Sequence, residues 1–143
     1  MFETILVPLD GSKNAEKVLP YVIDYASRLN SKIILTHVCD PHNLADEWRS
    51  YLEDIASEIR LKMQEHLSKQ QVNVETSILH GDPAIEILKY AEEIGSDLIM
   101  VTDRGISGQG NWPIGSVATK LLMASESPVM LIRTTPLNTI ENH

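Results

Sequence analysis

Between Thr102 and Ser116 the chain reads TDRGISGQGNWPIGS, with four glycines in the eleven positions from Gly105 to Gly115. Side chains supply little of the chemistry available there. A stretch without Cβ atoms brings its own N–H groups close to a guest and reaches positive φ, and a run of such amides forms a concave seat for an anion. A helix pattern begins at Gly115-Ser116, so the seat leads into the unpaired amides and positive dipole end of a helix. Phosphate is the guest this arrangement suits, with the hydroxyls of Ser116 and Thr119 as further donors. No lysine stands between Thr102 and Ser116, which leaves most of the neutralising to the main chain.

Three catalogued motifs fail against this segment. Gly110 to Gly115 has the glycine spacing of a P-loop, but Ser116 stands where the phosphate-binding lysine must be. A dinucleotide fingerprint would follow the first strand, where the sequence is Asp10-Gly11-Ser12, and after Gly108-Gln109-Gly110 its third glycine is replaced by Pro113. A nucleophile elbow needs glycine two residues after its serine, and Ser107 is followed by Gln109 at that place. Other residues with chemistry to offer are scattered. Cys39 and His42 have a ligand-like spacing but make only half a tetrahedral set, so no protein-only metal site is expected. His37 falls in the second strand, His66 on the solvated side of a long helix, and His80 at the end of the third strand, near the loop region. Trp112 is open to three readings: a cap on the pocket, a contact with a partner subunit, or packing against the helix start. Arg104 reaches either a phosphate or solvent.

The elements that must position these residues alternate. Thr4 to Leu9 is a nearly unbroken apolar run, as in a strand covered on both faces, and it stops at Asp10-Gly11-Ser12. Ala15 to Leu29 follows at helical spacing, with a kink expected at Pro20. Lys32 to Val38 is a second strand, and Leu44 to about Lys69 a long amphipathic helix whose stripe runs through Trp48, Leu52, Ile55, Ile59, Met63 and Leu67. Val72 to Leu79 is a third strand; Asp82 caps the next helix, with Pro83 as its first residue and Ile85, Leu88, Ala91 and Ile94 expected to face inward. A fourth strand ends at Thr102, a helix runs from Ser116 to Ala124, and a fifth strand spans Pro128 to Arg133, with residues 134–143 expected to fray.

Strand and helix in strict alternation predict an α/β fold: one domain over 1–143, an open five-stranded parallel sheet with helices on both faces, Rossmann-like in its layering. Ligands of such sheets sit outside the carboxyl ends of the strands, where successive connections diverge to opposite faces. That rule nominates Asp10 to Ser12, Val38 to Asp40, His80 to Asp82, and Thr102 to Ser116.

The composition narrows the partners. With 12 Lys+Arg against 20 Asp+Glu, a formal charge of −8 and no basic cluster oppose nucleic-acid binding. No apolar run approaches the roughly 18 residues of a membrane span, and MFETILVPLDGS has neither the basic start nor the cleavage site of a leader. One cysteine, Cys39, fits a reducing cytoplasm and a buried apolar role.

The segments ILVPLDGS, IILTHV, HGDPAIEILKYAEE, GSDLIMVTDRG and SPVMLIR resemble the universal stress protein family, in order and spacing, over essentially the whole chain. The family's ATP-binding branch carries G-x2-G-x9-G-[S/T] after the fourth strand. Gly105, nine intervening residues and Gly115-Ser116 fit that pattern, while Thr102 stands where the first glycine belongs. The resemblance implies an adenine nucleotide alpha hydrolase-like fold. It implies an adenine slot formed by Pro8, Leu9 and Asp10 with Val38, phosphates over Gly105, Gly115, Ser116 and Val117, and Thr102 beside the ribose and phosphates. At Thr102 the side chain either crowds the ribose and phosphates or offers a hydroxyl in place of an amide contact. Asp10 either bonds the adenosine or only shapes an Asx turn. ATP, ADP or AMP is the implied ligand, with magnesium or manganese held by phosphate oxygens and water. A homodimer pairing the strands Val129 to Arg133 is also implied, and it would remove an open sheet edge.

Three functions are therefore carried forward. The first is a cytoplasmic stress or signalling regulator whose bound adenine nucleotide changes the shape offered to an unknown protein partner. The second is a nucleotide-free dimeric scaffold, kept open by Thr102. The third is a slow ATPase or phosphotransferase, opposed by the lack of an evident lysine or carboxylate pair to act on the transferring group.

Overall fold

The computed structural model of the chain describes residues 2–39, 45–66, 72–104 and 114–134. Five parallel strands make one sheet in the order β3-β2-β1-β4-β5: β1 (Thr4–Pro8), β2 (Lys32–Cys39), β3 (Val74–His80), β4 (Leu98–Thr102) and β5 (Val129–Ile132). The connections are α1 (Lys13–Glu16), α2 (Leu19–Leu29), α3 (Ala45–His66), α4 (Pro83–Ile94) and α5 (Ser116–Ala124). From β1 the chain winds outward to β2 and β3, then returns across β1 to place β4 and β5 on its other side. Right-handed crossovers of opposite direction put their helices on opposite faces. Hence one core joins Val22, Ala26, Leu52 and Ile59 of α2 and α3 to Ile5, Val7, Ile33 and Leu35. The other joins Ile87, Ala91, Ala118 and Leu121 of α4 and α5 to Leu6, Ile34, Ile99 and Val101. The central strands are mostly apolar because both faces are covered, and β4 is buried throughout.

Two details correct the sequence expectations. Pro20 does not kink a continuous helix. α1 stops after Glu16, and Pro20 sits in the first turn of α2, where its missing N–H has no helical acceptor to lose. On α4 the buried stripe is Ala84, Ile87 and Ala91, whereas Ile85, expected inside, is 52% exposed. Leu88 and Ile94 are half-buried. So many α4 positions are apolar that periodicity alone did not set the phase; packing of the small Ala84 and Ala91 against the sheet side did. The long-helix stripe holds at Leu52, Ile55, Ile59 and Met63, all buried, with Leu67 outside the described residues.

Candidate functional site

At the carboxyl ends of β1 and β4, where the winding reverses, the structure has a cleft. Its β1 wall is Pro8, Leu9 and Asp10. The β1–β2 ladder ends with the Leu9 N–H donating to the Thr36 carbonyl (2.8 Å), so Val38 continues β2 past the end of that pairing and borders the cleft. Behind Leu9 stands His37, buried, with Nδ1 2.8 Å from the Leu9 carbonyl oxygen. Only a protonated Nδ1 can serve that acceptor, which leaves Nε2 a lone pair, and Nε2 is buried with no hydrogen-bond partner. Burial lowers the His37 pKa, outweighing the Leu9 carbonyl and Asp10, which act to raise it. The imidazole is thus neutral, and it stacks on Trp48 of α3 with ring centroids 3.6 Å apart.

The same indole packs against the turn after β1. Gly11 has φ +86°, and a Cβ there would lie 2.8 Å from the Trp48 ring. Both the backbone angle and the ring demand glycine. Asp10 accepts the Ser12 N–H at 2.9 Å, which realises the Asx turn, and Ser12 in turn caps α1 by accepting the Ala15 N–H at 3.0 Å. Tyr51, edge-on to Trp48, donates its hydroxyl to Glu16 at 2.8 Å and so clamps α3 to α1.

The opposite wall comes from β4 and α5. Thr102 is buried, and its hydroxyl donates to the Arg104 carbonyl at 2.9 Å, folding the strand exit into a tight turn. Its hydrogen is therefore committed within the chain. Asn14 also donates to the Arg104 carbonyl, at 2.8 Å, tying α1 to this wall. Gly115, extended at φ −67° and ψ 163°, is the N-cap of α5 and supplies no capping side chain; no acidic residue occupies the first turn. The amides of Ser116, Val117 and Ala118, at a helix start, have no intrahelical acceptor. By contrast, Asp82 caps α4 by accepting the Ile85 N–H at 3.1 Å. Thr119 corrects one expectation: its hydroxyl donates to the Gly115 carbonyl at 2.8 Å, back along its own helix, and so is not directed to an anion.

Of the residues nominated from sequence, Pro8, Leu9, Asp10, Val38, Thr102, Gly115, Ser116 and Val117 line this one cleft. Gly105 and Trp112 lie outside the described residues, as do His42 and 135–143. Thr134, expected to begin a frayed tail, is instead bonded through its N–H and hydroxyl to Asp103. His80 ends the edge strand β3, exposed and off the cleft. Sequence reasoning missed Pro83 and Ile87, which reach the cleft from the start of α4, although the connection from β3 to β4 must cross over β1 and so gave a signal. Asp103 fell inside the nominated stretch Thr102 to Ser116, but its full burial was not foreseen, since an aspartate after a strand reads as a solvated turn.

Among the described residues there is no group of three or more side chains able to hold a metal ion, and no helix is long and apolar enough to cross a membrane. The arrangement offers an apolar slot between two strand ends, opening onto bare helix-start amides. Such a slot takes a flat base at one end and an anion at the other.

Comparison with known proteins agrees on the lineage. The universal stress protein family profile matches residues 1–133. The universal stress protein YxiE of Bacillus subtilis is 31% identical, over 93% of this chain and all of that one. Among solved structures, a universal stress protein in complex with cAMP superposes with a TM-score of 0.69 at 21% identity, over 94% of this chain and 98% of that one. The universal stress protein of Archaeoglobus fulgidus in complex with dAMP gives 0.60 at 23%, over 92% and 99%. Sequence order, sheet topology and these likenesses converge, and the chain belongs to the universal stress protein family.

Proposed function

We propose that this cleft binds an adenine nucleotide, and that its occupancy changes the shape the protein offers to a partner, in the manner of a cytoplasmic stress or signalling regulator. The base enters between Pro8-Leu9-Asp10 and Val38. The phosphates lie over Thr102, Gly105, Gly115, Ser116 and Val117. The observation that carries this reading is the uncapped start of α5, where Gly115 offers no side chain, facing the same cleft as the apolar strand ends. Solved relatives in complex with cAMP and dAMP support the choice of an adenylate. Magnesium or manganese, where present, would be held by phosphate oxygens and water.

Titration calorimetry with ATP, ADP, AMP and GTP tests the reading. Adenylates are expected to bind and GTP is not. Ser116→Asp puts a carboxylate at the first residue of α5, where it competes for the free amides and repels phosphate. It is expected to weaken binding at least ~10-fold, about 1.4 kcal/mol. Wild-type protein silent to all four nucleotides would favour a nucleotide-free dimeric scaffold, a reading supported by the buried Thr102 side chain in the cleft wall.

A further inference from the structure

Asp103 ties together three segments that are distant in sequence. It is fully buried directly after β4. Its N–H donates to the Ile132 carbonyl at 3.0 Å, and its own carbonyl accepts the N–H of Gly115, the N-cap of α5. Its carboxylate accepts the Thr134 N–H at 3.1 Å and the Thr134 hydroxyl, and the Arg133 guanidinium Nε lies 3.4 Å away. The exit of β4, the start of α5 and the exit of β5 are thus bonded to one residue. A buried carboxylate is tolerated only with its partners in place, so these bonds leave little slack. Gly115 immediately precedes the cleft-lining Ser116 and Val117. Thr134, on the far side of Asp103, does not line the cleft.

We propose that Asp103 is a positioning residue that transmits occupancy of the cleft to the exit of β5, the edge strand of the sheet. The inference rests on the nucleotide reading above. A ligand drawing on the first amides of α5 loads Gly115. The load passes through the Gly115 N–H to the main chain of Asp103, and through the carboxylate to Thr134. Ligand and edge strand are then linked without contact between them, and the linkage is reciprocal.

Amide hydrogen exchange resolved by NMR, with and without saturating ATP, tests this. In the wild type, ATP is expected to slow exchange at Ser116 and Val117, and also at Thr134, the last by at least ~5-fold. In Thr134→Val, which removes the hydroxyl bond to Asp103 from outside the cleft and keeps the main-chain N–H, the slowing at Ser116 and Val117 should persist while that at position 134 shrinks. Asp103→Asn keeps the size and one acceptor oxygen, and should also shrink the effect at Thr134; it carries the test if the valine variant does not fold. Slowing at Ser116 and Val117 with Thr134 unmoved in the wild type would overturn the coupling alone. So would an ATP response at position 134 that survives both substitutions. No slowing at any amide would overturn the nucleotide reading and the coupling together.

Discussion

Replacing Gly11 with alanine would ask an L-residue to hold φ +86° with a methyl group driven into Trp48. Strain of that kind costs about 1–3 kcal/mol, and the variant is expected to melt several degrees below the wild type in a calorimetric scan. His37 makes a pH prediction with a definite sign. Its folded pKa is lowered, chiefly by burial, so the unfolded chain binds the proton more tightly than the native one. Stability from the neutral ring is complete above about pH 6.5 and falls as the pH drops below that value. Asp10 and Glu16 face the stack and Trp48 and Tyr51 complete it, so these are the groups among which the charge would appear. Urea midpoints from pH 7.5 to 5.5 should decline, and His37→Asn, which retains a donor for the Leu9 carbonyl, should flatten the decline. Single residues are also where sequence reading was weakest. The Asx turn at Asp10 could be read because its partner is two positions away, whereas Asp103 answers to Thr134, 31 residues on.

Elements were easier to read than residues. Strands that cross a two-sided sheet are largely apolar, and that demand shows in the letters of β1, β2 and β4, whose buried polar exceptions are Thr36, His37 and Thr102. Helix ends were legible where a cap residue exists, as at Asp82-Pro83, and the rotation of α4 was not, because Ala84, Ile85, Ile87 and Leu88 are all apolar. The contrast between α4 and α5 can be measured. Asp82→Ala removes a capping bond to Ile85 and should lower stability by about 1 kcal/mol in urea unfolding. Ser116→Ala, at an exposed position of a helix capped by Gly115, should change it by less than about 0.5 kcal/mol. Stability contributed by the Asp82 cap at the start of α4 has no counterpart at the start of α5.

On the scale of the whole molecule, β5 is the last strand of the sheet and, among the described residues, pairs only with β4. The Pro128 and Ile132 carbonyls accept from β4, so the main-chain groups of Val129 and Leu131 point outward by alternation. If two subunits pair β5 against β5, as we propose, Leu131→Pro removes an outward N–H while sparing the bonds to β4. It is expected to turn a dimer into a monomer in sedimentation velocity. The winding order has one more consequence, for the time at which the protein becomes competent. β1 is made early but lies between β2 and β4, and the start of α5 is steadied by Asp103, itself secured by Thr134 near the far end of the fold. A polypeptide leaving the ribosome can therefore bury most of its apolar strands before the cleft is assembled. Completion waits for Thr134, which follows β5, to reach Asp103.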